Sequence, residues 1–262
     1  MFIKLKTDLK NLTIKIKQTD MHVVVIFISI AILQTVSWYF TSRRFFRSNF
    51  SSSVSGNPDA DLWEFIYWFS GDTFVLLVIP VIIILLVLKK KPVQFGFSVG
   101  DYKTGLYYSV IFLAVMIPII WFVSAAPEFA ARYPHLSSAK TDINKFLVFE
   151  AGMLMYMFAW EFIWRGFTLF GLEEKFGYYA VLIQMIPFLI LHNGKPALET
   201  FGAIPGGIAL GILALRTRSF YYGVIVHFGV IFSIDFISRM RFNARDFGVG
   251  VDSLINVIQH LF

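Results

Sequence analysis

Trp160-Glu161-Phe162-Ile163-Trp164-Arg165-Gly166 sets a carboxylate and a guanidinium four residues apart inside a run otherwise suited to hydrocarbon. Ionisable groups are costly there and mark a functional site by default, so the fold has to bury them against each other. Outward from this heptad the chain stays apolar: 57% of its 262 residues are hydrophobic, only 15% are charged, and mean hydropathy is +0.68. That balance lies outside the soluble globular range and predicts an all-α, polytopic membrane helical bundle.

Apolar runs cover 22–40, 62–88, 106–126, 146–170, 178–191, 201–215 and 220–237. The longer ones reach the roughly 20 residues that a helix needs to cross about 30 Å of hydrocarbon. The fifth and sixth are short and interrupted by Pro187 and Pro205, which assigns them to the bundle interior, around any site. Residues 251–262 read as an eighth short span or as an interfacial helix, the former preferred, so seven or eight transmembrane helices are expected in one membrane domain, 21–262. Residues 1–20 read as a separate cytoplasmic segment: Leu5, Leu9, Leu12 and Ile16 recur at helical spacing among five lysines and suit an anionic lipid surface.

With seven spans, twelve Lys or Arg fall on the side of the N-terminus and ten on the other, Arg165 being left in the membrane. This places the N-terminus in the cytoplasm and the protein in a plasma or inner membrane. The net charge of +6 is scattered over separate connections without an aromatic-basic platform, which fits contact with the lipid bilayer and argues against nucleic acid. There is no cysteine, so thiolate nucleophiles and cysteine-ligated metals are excluded.

Glu161 and Arg165 share one helix face and can meet. Taken alone, the pair is as well explained by a structural ion pair. His192, just before Asn193-Gly194, ends the fifth run, and His227 sits in the middle of the last. A single histidine in such a span is usually a helix–helix hydrogen bond; two of them with Glu161 on a third helix are a different proposition. Gly202, Gly206, Gly207 and Gly211 would let the backbones approach closely enough for the three to converge. Such a group supports attack of water on an amide: Glu161, balanced between poor solvation and Arg165, as general base, one histidine orienting the water or ligating a divalent metal, the other stabilising the oxyanion. No His-Glu-x-x-His pair compels a metal. Glu150 is expected at the interface, His135 in a solvated loop, and Asp72 near an interface or a helix start. The glycines of 95–101 read as turns, because neither the lysine-serine ending nor the strand-to-helix setting of a phosphate loop is present.

In this order the motifs resemble the CAAX protease and bacteriocin-processing (CPBP/Abi) family of intramembrane proteases, most strongly over 146–238. The family's paired glutamates with a following arginine and glycine correspond to Trp160, Glu161, Arg165 and Gly166; its Phe-then-His motif to Phe188 and His192; its last histidine to His227. The resemblance implies a CAAX-protease-like core and an intramembrane endopeptidase. The peptide bond cut would lie in a membrane-anchored, prenylated or leader-type substrate. Glu161, Arg165, His192 and His227 would be catalytic, and His192 and His227 would be the ligands if zinc is used. Two positions depart from the pattern: Trp160 stands where the family has the glutamate generally taken as the base, and Ile231 where it has a small polar residue that helps hold the oxyanion. Asn193, Ser233 or, two turns from His227, Asp235 are candidates to compensate. The rival expectation is a non-catalytic member that binds peptide, confers immunity or assists secretion; a proton-coupled transporter using Glu161 lacks the paired inverted repeat.

Overall fold

The computed structural model describes residues 19–260, and among these every regular element is helical. The expected amphipathic segment before Thr19 lies outside the described residues. Seven helices build the bundle: α1, Met21–Asn49, interrupted at Ser42; α2, Ala60–Val87; α3, Tyr102–Val123; α4, Ile143–Phe176; α5, Tyr179–Ile190; α6, Ala197–Thr217; and α7, Tyr221–Ala244. A further helix, α8, follows at Val251–Gln259. Helix starts are set by local chemistry: Asp20, Asp101 and Asp142 each accept from backbone N–H groups of the first turn of α1, α3 and α4.

Six of these helices (α1, α2, α3, α4, α6 and α7) are long and apolar enough to cross a membrane. The surface is inverted relative to a water-soluble protein: Leu86 is 71% and Val110 66% exposed, while Glu161, Arg165, Gln184, Asp235 and Arg241 are each 0% exposed. Apolar groups outward and polar groups inward is the arrangement hydrocarbon enforces, since only the interior can satisfy a polar group there.

Two expectations about length are corrected. The sixth run is not short: α6 has 21 residues and continues through Pro205. A proline removes one donor and bends a helix, but hydrocarbon offers the chain no partner better than its own remaining hydrogen bonds. The terminal segment is not an eighth span, because its nine helical residues cover roughly 14 Å at 1.5 Å each. Val251, Leu254, Ile255 and Ile258 leave one exposed apolar side on it, as in a helix lying in the interface. The fifth run is short as expected: α5 has 12 residues, about 18 Å, well under the hydrocarbon thickness.

α4 is the axis of the bundle. From Ala159 to Leu172 every residue is buried, and the face between Glu150 and Trp160 packs on α2 and α7. Ion pairs Lys90–Glu174, Arg218–Glu173 and Lys175–Asp20 gather one set of connections on one face. Lys145–Asp59 and Arg132 donating to the Gly194 carbonyl gather the other set on the opposite face.

Candidate active site

Immediately after Glu161 the α4 backbone widens into a π-helical turn over Phe162–Thr168, a distortion that recurs at functional sites because it re-aims side chains without ending the helix. Thr168 Oγ1 donates to the Ile163 carbonyl five residues back at 2.6 Å, which satisfies an acceptor the wider turn leaves free. Gly166 is required here: a Cβ would sit 2.3 Å from the Phe162 ring and 3.1 Å from the Phe95 carbonyl oxygen.

The expected pair forms. Arg165 Nη1 donates to Glu161 Oε1 at 2.9 Å, both side chains are fully buried, and the guanidinium lies over the Phe188 ring at 4.1 Å. His227, from α7, places Nδ1 2.7 Å from the same Oε1. The other oxygen, Oε2, has no hydrogen-bond partner among the described residues and presses on α7 at Gly223, where a Cβ would be 2.5 Å away. Glycine at 223 is therefore what lets a carboxylate on α4 reach α7.

His192 lies just beyond the end of α5. Its Nδ1 donates to the Phe188 carbonyl at 2.8 Å and its ring packs on Phe188 at 4.5 Å between centroids. The His192 and His227 rings are 6.4 Å apart at 23° between planes, with Phe188 touching both. A carbonyl and a carboxylate can only accept, so Nδ1 carries the proton in each neutral ring and each Nε2 keeps its lone pair. Burial, reinforced by the Lys195 ammonium, lowers the His192 imidazole to about 4, which keeps it neutral near pH 7 with its Nε2 lone pair available.

Thus Glu161, Arg165 and His227 are in direct contact, and His192 joins them through Phe188. Trp160, at the position of the missing acid, is 8% exposed, packs edge-on to Trp164 at 5.9 Å and lies 6.2 Å from Phe188; its indole N–H has no partner among the described residues. Ile231 is buried in the apolar core. Of the candidates to compensate, Asn193 is exposed and Ser233 Oγ donates to the Gly229 carbonyl of its own helix. Gly207 and Gly211 do pack closely on α5, against Met185 and Val181, while Gly202 and Gly206 face open space.

Four expectations fail, and in three of them the buried group has found a hydrogen-bond partner that spares it an unpaired burial. Asp235 does not serve His227; it accepts from the backbone N–H and Nδ1 of His135 at 2.9 and 2.8 Å. His135 is accordingly not a solvated loop residue, its side chain being only 22% exposed. Glu150 is not at the interface but 4% exposed. Asp72 is likewise buried mid-helix, where it accepts from Thr41 Oγ1 and, at 2.7 Å, from Trp68 Nε1. The available signal for the three acids was a carboxylate inside an apolar run.

Residues 142–232 match the family model described as type II CAAX prenyl endopeptidase Rce1-like. Over that segment, about a third of its length, the chain is similar to the Rce1-like CAAX protease family. No curated protein and no solved structure matches the chain. The family segment runs from the cap of α4 to the middle of α7 and so contains Glu161, Arg165, His192 and His227 together with both family departures, Trp160 and Ile231.

Proposed function

We propose that this protein is an intramembrane endopeptidase acting on a bilayer-tethered peptide, prenylated or leader-type, in a membrane where its N-terminus faces the cytoplasm. The observation that carries the reading is the pair of imidazoles 6.4 Å apart, both with Nδ1 engaged and Nε2 free, one of them held by a buried carboxylate. His192 Nε2 takes a proton from water as its oxygen attacks the peptide carbonyl carbon. His227, held by Glu161 through Nδ1, gives a hydrogen bond to the oxyanion through Nε2 when in its imidazolium form. When the tetrahedral intermediate collapses, the C–N bond breaks and the imidazolium of His192 returns its proton to the leaving amine. The products are one carboxylic acid and one amine, with both histidines restored.

In this reading Glu161 orients His227 instead of activating water, because Oε1 is already shared by two donors and Oε2 is closed off by Gly223. Arg165 holds Glu161 charged. A divalent ion such as zinc would take the two Nε2 atoms and supply Lewis-acid polarisation of the carbonyl. Two protein ligands are one fewer than catalytic zinc sites use, and among the described residues no group of three His, Cys, Asp or Glu side chains is arranged to hold a metal.

The test is cleavage of lipidated and leader peptides by the purified protein in lipid, compared with His192→Ala and His227→Ala, with and without a chelator. Loss of cleavage in both variants supports the assignment, and cleavage that persists in either removes that residue from it. A second reading is favoured by Trp160, whose ring occupies the position of the family acid: a member that binds peptide without cutting it. Peptide retention without products, abolished by His192→Ala, would select that reading.

A further inference from the structure

A second polar cluster lies in the bundle, formed by residues of α4, α7 and the 132–135 connection that the site above does not use in its chemistry. Glu150 on α4 is 4% exposed, and neither of its carboxylate oxygens has a hydrogen-bond partner among the described residues. It faces Asp235 on α7, which is 0% exposed, within reach of a carboxyl-to-carboxyl hydrogen bond. Asp235 is engaged from the other side by His135, through the backbone N–H at 2.9 Å and Nδ1 at 2.8 Å.

The surrounding charges do not relieve Glu150. Arg239, one turn further along α7, donates to the Ala139 carbonyl and lies over Phe146. Tyr133 donates to Glu199 of α6 at 2.6 Å, and Lys195 pairs with the same Glu199. His135 is committed to Asp235. Two carboxylates that touch in a low-dielectric interior cannot both be ionised without a counter-charge, and two acceptors that face each other have nothing to share unless one of them carries a hydrogen.

We propose that Glu150 and Asp235 form a proton-binding site, sharing one proton that Glu150 donates to Asp235, and that this proton keeps the 132–135 strap seated on α7. The strap is tied at three points: Arg132 to the Gly194 carbonyl, Tyr133 to Glu199, and His135 to Asp235. Two of those ties reach the connection and helix that follow His192, so the strap lies between the proton site and the candidate active site. Removal of the proton sets two carboxylates against each other and pushes Asp235 away from His135, which loosens the strap at its α7 end.

Infrared difference spectroscopy of the full chain in lipid nanodiscs tests the proposal. At neutral pH the wild type should show a protonated-carboxyl C=O band that is lost in Glu150→Gln and retained in Glu161→Gln. Asp235→Asn should shift the band, since the acceptor of the Glu150 hydrogen changes from a carboxylate to an amide carbonyl while burial still disfavours ionisation. Glu150→Gln keeps a donor toward Asp235 and should fold, so its melting temperature should stay level on alkaline titration while that of the wild type falls, together with faster proteolysis within 132–140. Identical carboxyl bands in wild type and Glu150→Gln, or parallel alkaline melting curves, would overturn the proposal.

Discussion

Replacing Arg165 with methionine keeps much of the side-chain volume and removes the charge that neutralises Glu161, leaving His227 as the only remaining partner of a fully buried carboxylate. Breaking one side of a buried ion pair costs about 3–5 kcal/mol, because the stranded charge cannot return to water. The guanidinium also lies 4.1 Å above the Phe188 ring, a contact of about 0.5–2 kcal/mol that the methionine thioether replaces only in part. The double variant Glu161→Gln/Arg165→Met has no stranded charge and keeps an amide oxygen for His227 Nδ1, so only the lost stacking remains, about 1–2 kcal/mol. The double variant should therefore be more stable than Arg165→Met alone by about 2 kcal/mol or more. Equilibrium unfolding in mixed micelles, read by tryptophan fluorescence, measures Glu161→Gln, Arg165→Met and the double variant against the wild type. If Arg165→Met lies within about 1 kcal/mol of the wild type, or if the single-variant losses simply add, the buried pair does not carry the site.

Gly223→Ala should detach Glu161 from α7, since its Cβ would stand 2.5 Å from Oε2; the variant should lose the His227 contact and destabilise the fold by about 1–3 kcal/mol in the same unfolding assay, whereas Gly206→Ala, facing open space, should be neutral or slightly stabilising. His192 has its imidazole lowered from 6.5 to about 4, so the unfolded chain binds its proton first; stability contributed by the neutral ring is complete above 6.5 and is lost as pH falls toward 4, and His192→Asn should flatten that part of the pH–stability curve. Peptide cleavage, if His192 is its base, should keep its acid limb near 4 instead of near 6.5. Trp68→Phe removes the indole donor 2.7 Å from buried Asp72 and should cost about 1–3 kcal/mol, with most of that loss recovered in Trp68→Phe/Asp72→Asn.

Much of this protein could be read along one dimension. Membrane class, the long spans, the short fifth helix and the contact of Glu161 with Arg165 all follow from hydropathy and helical spacing, which are local sums over neighbouring residues. The order of Glu161, Arg165, His192 and His227 was likewise enough to indicate the family, because motif spacing survives in sequence whatever the packing. What the sequence left open were contacts between elements: His135 with Asp235, Glu150 against the same acid, and Thr41 with Asp72. A buried acid announces that it needs a partner, but its identity depends on how each helix is rotated and how deep each connection dips. Those are fixed only when all the helices pack together, and so the tertiary structure alone decided that Glu161 is closed against Gly223 and that a loop histidine belongs to the core.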